Sequence, residues 1–165
     1  MDRLGVAQGG MRVVLGVVFL VHGAQKLFGW FGGGGVAGTG DFFASLGLNP
    51  GVPLALLSGA GEVLGGLLLL FGLWVPVAAI VLTIDMLVAI AFRTWKLGFI
   101  SGGGVELNLL VLAMVAALVL LGPGVYSLEQ TVLRRQQGTP GGSASAAEVS
   151  PAATQAQPES PEAAV

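Results

Sequence analysis

Four apolar runs, divided by short polar or glycine-rich stretches, set the pattern of this chain. They fall at about 11–28, 53–72, 76–93 and 105–121. At a rise of about 1.5 Å per residue, each approaches the roughly 30 Å of a bilayer's hydrocarbon core. The pattern predicts an all-α protein, an integral membrane four-helix bundle filling residues 11–130. A polar head precedes it at 1–10. A basic end and an Ala/Pro/Ser-rich tail follow at 131–165. The tail has almost no large apolar side chain with which to pack, which predicts disorder.

The polar positions inside the runs are the informative ones. The second run, VPLALLSGAGEVLGGLLLLFG, carries Glu62 near its middle. A carboxyl there is costly against lipid and should face protein, water or a ligand. On a helix Ser58, Glu62, Gly65, Gly66 and Leu69 share one face. Gly61 and Gly65 have the spacing that lets a second helix come close. Asp85 lies near the middle of the third run. His22, Gln25 and Lys26 share a face of the first run at i, i+3 and i+4. Asp85, Arg93 and Lys96 form a stripe at i, i+8 and i+11. In depth, Glu62 and Asp85 sit near the midplane and His22 slightly outward. Lys26, Arg93, Glu106 and Asn108 lie roughly 7–12 Å outward, away from the termini. Three carboxylates (Glu62, Asp85, Glu106) would be balanced by Lys26, Arg93 and Lys96. Helices that hide these stripes from lipid would enclose a polar pocket open to the surface opposite the termini.

Plainer readings stand beside these. Lys26 and Arg93 can snorkel to the interface. His22 can hydrogen-bond a neighbouring helix, Glu106 can cap a helix start, and Asn108 can join two helices. Glu62 can be a protonated carboxyl bonded to a backbone carbonyl. Trp30, Trp74 and Trp95 near run ends suit an interfacial belt.

The connectors add less. Gly29 to Pro50 is glycine-rich but lacks the Gly-Lys-Ser/Thr ending of a phosphate loop, so it reads as a flexible connector. Within it, Asp41 to Leu48 would form either a short interfacial helix capped by Asp41 or an ordinary loop. Pro76 suits the first turn of the third helix, and Gly122-Pro123-Gly124 ends the fourth. The first run is long for a cleavable signal, and His22 stands where small residues would be needed. The likeness of residues 58–73 to 101–115 fits either a duplicated hairpin or convergence among Leu- and Gly-rich segments.

Composition narrows the function classes. The 165 residues are 54% hydrophobic and 10% charged, with mean hydropathy +0.86; soluble domains are about 25% charged. A net charge of −2 without a basic run argues against nucleic acid as a partner. Without cysteine and with one histidine, the chain offers no thiol chemistry, no bis-histidine haem and no metal site of the usual kind. No catalytic residue stands out.

The residues carry a resemblance. LGVVFLVHGAQKLFGW after Arg12, GEVLGGLLLLFGL around Glu62, VELNLLVL around Glu106 and Asn108, and GPGVYSLE at 122–129 together resemble the DoxX family of small four-helix membrane proteins. The likeness runs over about 11–130; Glu129 stands where the family commonly has Asp. It implies kinship with subunits of quinone-linked sulfur-oxidising or terminal-oxidase complexes. The leading expectation is a non-catalytic membrane subunit of an oxidoreductase or redox-defence system. It would hold a quinone-like ligand, with no covalent cofactor, or organise a partner oxidoreductase. The ligand or proton-relay candidates are His22, Lys26, Glu62, Asp85, Arg93, Glu106 and Asn108. The alternatives are a scaffold or assembly factor without ligand, and a carrier of small solutes or protons.

The charges also give an orientation. Arg3, Arg12, Arg134 and Arg135 lie on the face with the termini, and Lys96 is the clear loop charge opposite. The positive-inside rule then places the termini in the cytoplasm of a multi-pass cell-membrane protein. Fusion reporters after Val165 and in the Trp74 turn should both report the cytoplasm. An external signal from both would reverse the orientation, and opposite signals would change the span count.

Overall fold

The computed structural model describes residues 3–99, 103–122, 124 and 126–131. All regular structure among them is helical. In chain order, α1 is Arg3–Phe28, a 3-10 turn is Trp30–Gly32, and α2 is Gly35–Ser45. Then come α3 (Gly51–Phe71), α4 (Val75–Ala89), a π segment (Ile90–Thr94), α5 (Trp95–Leu97) and α6 (Val105–Leu121). Arg3–Phe28, Gly51–Phe71 and the continuous Val75–Leu97 are long and apolar enough to cross a membrane. At 17 residues α6 is about 25 Å long, near the lower limit for a span. The expected tail, with Arg134 and Arg135, lies outside the described residues.

The first helix begins at Arg3, so the expected polar head is helical. Two buried polar residues explain the extension. The Gln8 side-chain amide donates to the carbonyls of Leu121 at 2.6 Å and Gly122 at 3.4 Å. These are terminal carbonyls of α6 that its own backbone leaves open. Arg12 Nη2 donates to the Tyr126 carbonyl at 3.2 Å. Buried Ser127 accepts the Gln130 amide on its hydroxyl at 3.1 Å, and Glu129 accepts the Trp74 amide at 3.2 Å. Gln8 thereby ties α1 to the end of α6, and residues 126–131 tie α1, through Arg12, to the α3–α4 turn. That turn needs Gly72, which sits at φ 65°. Its amide and that of Leu73 close the end of α3 on Leu69 and Leu68. A Cβ there would also run into the Arg12 guanidinium.

The connector after α1 is ordered rather than flexible. Its helix spans 35–45, so Asp41 lies inside α2, exposed, and does not cap it. The glycines serve close approach: a Cβ on Gly40 would stand 2.9 Å from the Cα of Val52 at the start of α3. Thr39 is buried and donates to the Lys26 carbonyl at 3.4 Å, which lays α2 over the last turn of α1.

The main contact of the bundle is α1 against α3. Gly16 meets Gly66, and Gly23 meets Gly59; a Cβ on either Gly16 or Gly66 would lie 2.9 Å from the other's carbonyl oxygen. Gly65 turns toward α4, where its Cβ would meet Leu82 at 2.9 Å. Leu15, Phe19, Leu69, Leu82 and Leu118 fill the centre. Without water to drive association in lipid, such backbone proximity is how helices gain contact. Gly66→Ala should therefore lower thermal stability in detergent by the equivalent of about 1–3 kcal/mol, the usual cost of overpacking. Gly10→Ala, with open space around it, should be neutral. Equal midpoints for the two variants would refute the close-contact account.

Candidate functional site

Beside the Gly23–Gly59 contact, three helices place ionisable groups together. The last turn of α1 carries Lys26, the middle of α3 carries Ser58 and Glu62, and α4 carries Asp85. Ser58 and Glu62 are one turn apart and so point the same way. Gly59 lets α1 approach: a Cβ there would be 3.2 Å from Lys26 Cβ. The Lys26 ammonium lies 2.9 Å from Glu62 Oε1 and 3.5 Å from Asp85 Oδ2. It also donates to the Ser58 hydroxyl at 2.7 Å, which in turn donates to Asp85 Oδ1 at 2.5 Å. Glu62 is 1% exposed, while the Lys26 and Asp85 side chains are 22% and 14% exposed. The cluster is thus buried at Glu62 and open at its Lys26–Asp85 edge.

Its electrostatics are unequal. Two carboxylates face one ammonium, leaving one negative charge when all three are ionised. Glu62 Oε2 is buried without a hydrogen-bond partner. Burying an ion is costly unless paired and fully hydrogen-bonded. The arrangement can therefore take up a further donor, whether a proton or a hydroxyl group.

Of the residues singled out in the sequence, Lys26, Glu62 and Asp85 come together; the others stand elsewhere. His22 is exposed, with Nδ1 2.9 Å from the Val18 carbonyl of its own helix. Arg93 is exposed and lies over the Phe42 ring of α2, 5.2 Å from its centroid. Arg93 belongs to the π segment, where i→i+5 bonding changes the rotation per residue. The simple stripe from Asp85 through Arg93 to Lys96 therefore does not carry past Ile90. Asn108 donates to Met86 Sδ at 3.4 Å, joining α6 to α4. Glu106 opens α6, with a buried Oε2 that has no hydrogen-bond partner. The expected balance of three acids by three bases becomes two acids and one base. Ser58 was visible only as a member of Glu62's face. Its bridging role depends on where α4 places Asp85, which periodicity within one helix does not reveal.

Fold and site together define a small helical membrane protein with a charged cluster enclosed by apolar helices. The DoxX family profile matches residues 9–95, a stretch that holds the whole cluster, and the chain belongs to the DoxX family. The matched stretch stops short of Glu106, Asn108 and the 122–129 segment. The chain is 32% identical over 124 residues to a Bacillus subtilis (strain 168) protein named "Putative oxidoreductase CatD", covering 75% of this chain and 85% of that one. It is 27% identical over 133 residues to an uncharacterized protein of Haemophilus influenzae, covering 76% and 90%. No solved structure gives a significant match.

The ion pair can be measured directly. Lys26→Met strands two carboxylates, and breaking a buried pair typically costs about 3–5 kcal/mol. Lys26→Met with Glu62→Gln should recover part of that loss in thermal unfolding. Strictly additive losses would mean that the two side chains are not energetically coupled.

Proposed function

We propose that the chain is a cell-membrane subunit of a quinone-linked oxidoreductase or redox-defence system, with its termini in the cytoplasm. It binds a quinone-like ligand at the Lys26–Ser58–Glu62–Asp85 cluster and presents it to a partner oxidoreductase. The observation that carries this reading is the buried Lys26–Glu62 pair with Asp85 at its open edge. Ionisable groups at that depth are expensive, and in membrane proteins they commonly mark ligand or proton paths. Family membership and a relative named as an oxidoreductase support a redox setting. The chain itself brings no thiol, so electrons would pass between the ligand and the partner. The Ser58 bridge gives protons a hydrogen-bonded link between Lys26 and Asp85.

One observation favours a second reading. All three ammonium protons of Lys26 already have acceptors within the protein, as in a purely structural polar core of a scaffold protein. Solvent extraction of the purified protein separates the two. The ligand reading expects quinone or quinol to co-purify with the native chain. It should be lost from the Lys26→Met, Glu62→Gln double variant while that variant still folds. Absence from the native chain purified from quinone-containing membranes would favour the scaffold.

A further inference from the structure

We infer that the cluster selects the reduced, hydroxyl-bearing form of its ligand, a quinol, over the corresponding quinone. This rests on the reading of the site as a place for a quinone-like ligand and adds which form it holds.

A count of hydrogen-bond donors and acceptors carries the argument. An ammonium has three N–H groups and no acceptor; a hydroxyl has one O–H; an ionised carboxylate only accepts, at about four lone-pair positions. The three Lys26 protons go to Glu62 Oε1 at 2.9 Å, Ser58 Oγ at 2.7 Å and Asp85 Oδ2 at 3.5 Å. The Ser58 proton goes to Asp85 Oδ1 at 2.5 Å. Every Lys26 and Ser58 proton is thus committed within the cluster. Acceptor capacity is left over: Glu62 Oε2 has no partner at all, although Glu62 is 1% exposed. Asp85 receives two bonds in all and stands at the accessible edge.

A quinone offers two carbonyl oxygens, which only accept. Set against Asp85 they would face its lone pairs, and either carbonyl could gain a bond only by taking a proton already held by Lys26 or Ser58. A quinol offers two O–H donors. One can donate to Asp85 with nothing in the cluster broken, and a hydrogen bond to an ionised acceptor is the stronger kind. Discrimination by a site matched to a hydroxyl is strong, because the analogue without it leaves polar groups facing each other unpaired.

The test compares duroquinol with duroquinone by titration calorimetry on the full chain in detergent. It is run anaerobically, with empty micelles as the blank. The fully methylated ring has no open position at which the protein's amines could add. The native chain should bind duroquinol more tightly by about tenfold or more, the range expected for one unmatched polar contact. Asp85→Asn brings an N–H₂ donor to the open edge and should pull the ratio toward one or below. Ser58→Ala frees a Lys26 proton and should raise duroquinone affinity, which keeps the test open if Asp85→Asn fails to fold. Asp41→Asn, on the exposed face of α2, should leave the ratio unchanged. Equal binding of the two forms, or tighter binding of duroquinone, overturns the inference while the ligand reading stands. Binding of neither form overturns both. An undiminished quinol preference in folded Asp85→Asn would remove Asp85 as the selecting group.

Discussion

One ammonium held between two carboxylates in an apolar bundle is the constraint on which the rest of this molecule depends. Lys26 reaches Glu62 and Asp85 only because α1 and α3 nearly touch, and they nearly touch because Gly16, Gly23, Gly59 and Gly66 leave no side chain between them. The two features support each other. Close contact lets the charges meet, and the charges oppose any sliding of one helix along the other, since a shift of one turn would leave an ion facing hydrocarbon. Apolar side chains alone would tolerate several registers. A buried ion pair tolerates one.

The sequence made some of this legible and not the rest, for a physical reason. Span lengths, the depth of Glu62 and Asp85, and the small face around Glu62 are properties of single helices. Periodicity and rise per residue are enough to find them. Which stripe meets which is a property of pairs. The same rules grouped Arg93 with Asp85, and the π segment removed that continuity. They grouped His22 with Lys26, yet His22 is exposed and bonds within α1. Glycine was the most ambiguous letter. Between 29 and 40 it reads as slack chain, yet in the fold it lets α2 press against α3 and cover the last turn of α1. Gly61 and Gly65 are points of approach to α4, at Val81 and Leu82, whereas the pairs that bring α1 close are Gly16–Gly66 and Gly23–Gly59.

The two ends of the bundle use different chemistry. Toward the Lys26 end, charges are concentrated and two buried carboxylate oxygens, on Glu62 and Glu106, have no hydrogen-bond partner. Toward the other end, Gln8 and Arg12 donate to backbone carbonyls, and Ser127 and Glu129 satisfy backbone amides. Polar groups there answer the open ends of helices, and they fix the frame within which the charged end can remain incompletely satisfied. That division gives the bundle a hydrogen-bonded base and one open, charged edge.

The bond from the Trp74 amide to Glu129 has a consequence for how the chain is made. Trp74 sits at φ 43°, a backbone state costly for a side chain of that size. It stands at the N-terminal boundary of α4, where an anion is favourable. The carboxylate that meets it lies 55 residues further on. During synthesis the α3–α4 turn therefore closes first on its local Gly72 and Leu73 bonds and gains its Glu129 contact only once α6 has been made. The last residues to leave the ribosome among those described thus add to a corner laid down long before, and a chain that stops short of Glu129 would lack this acceptor for the Trp74 amide.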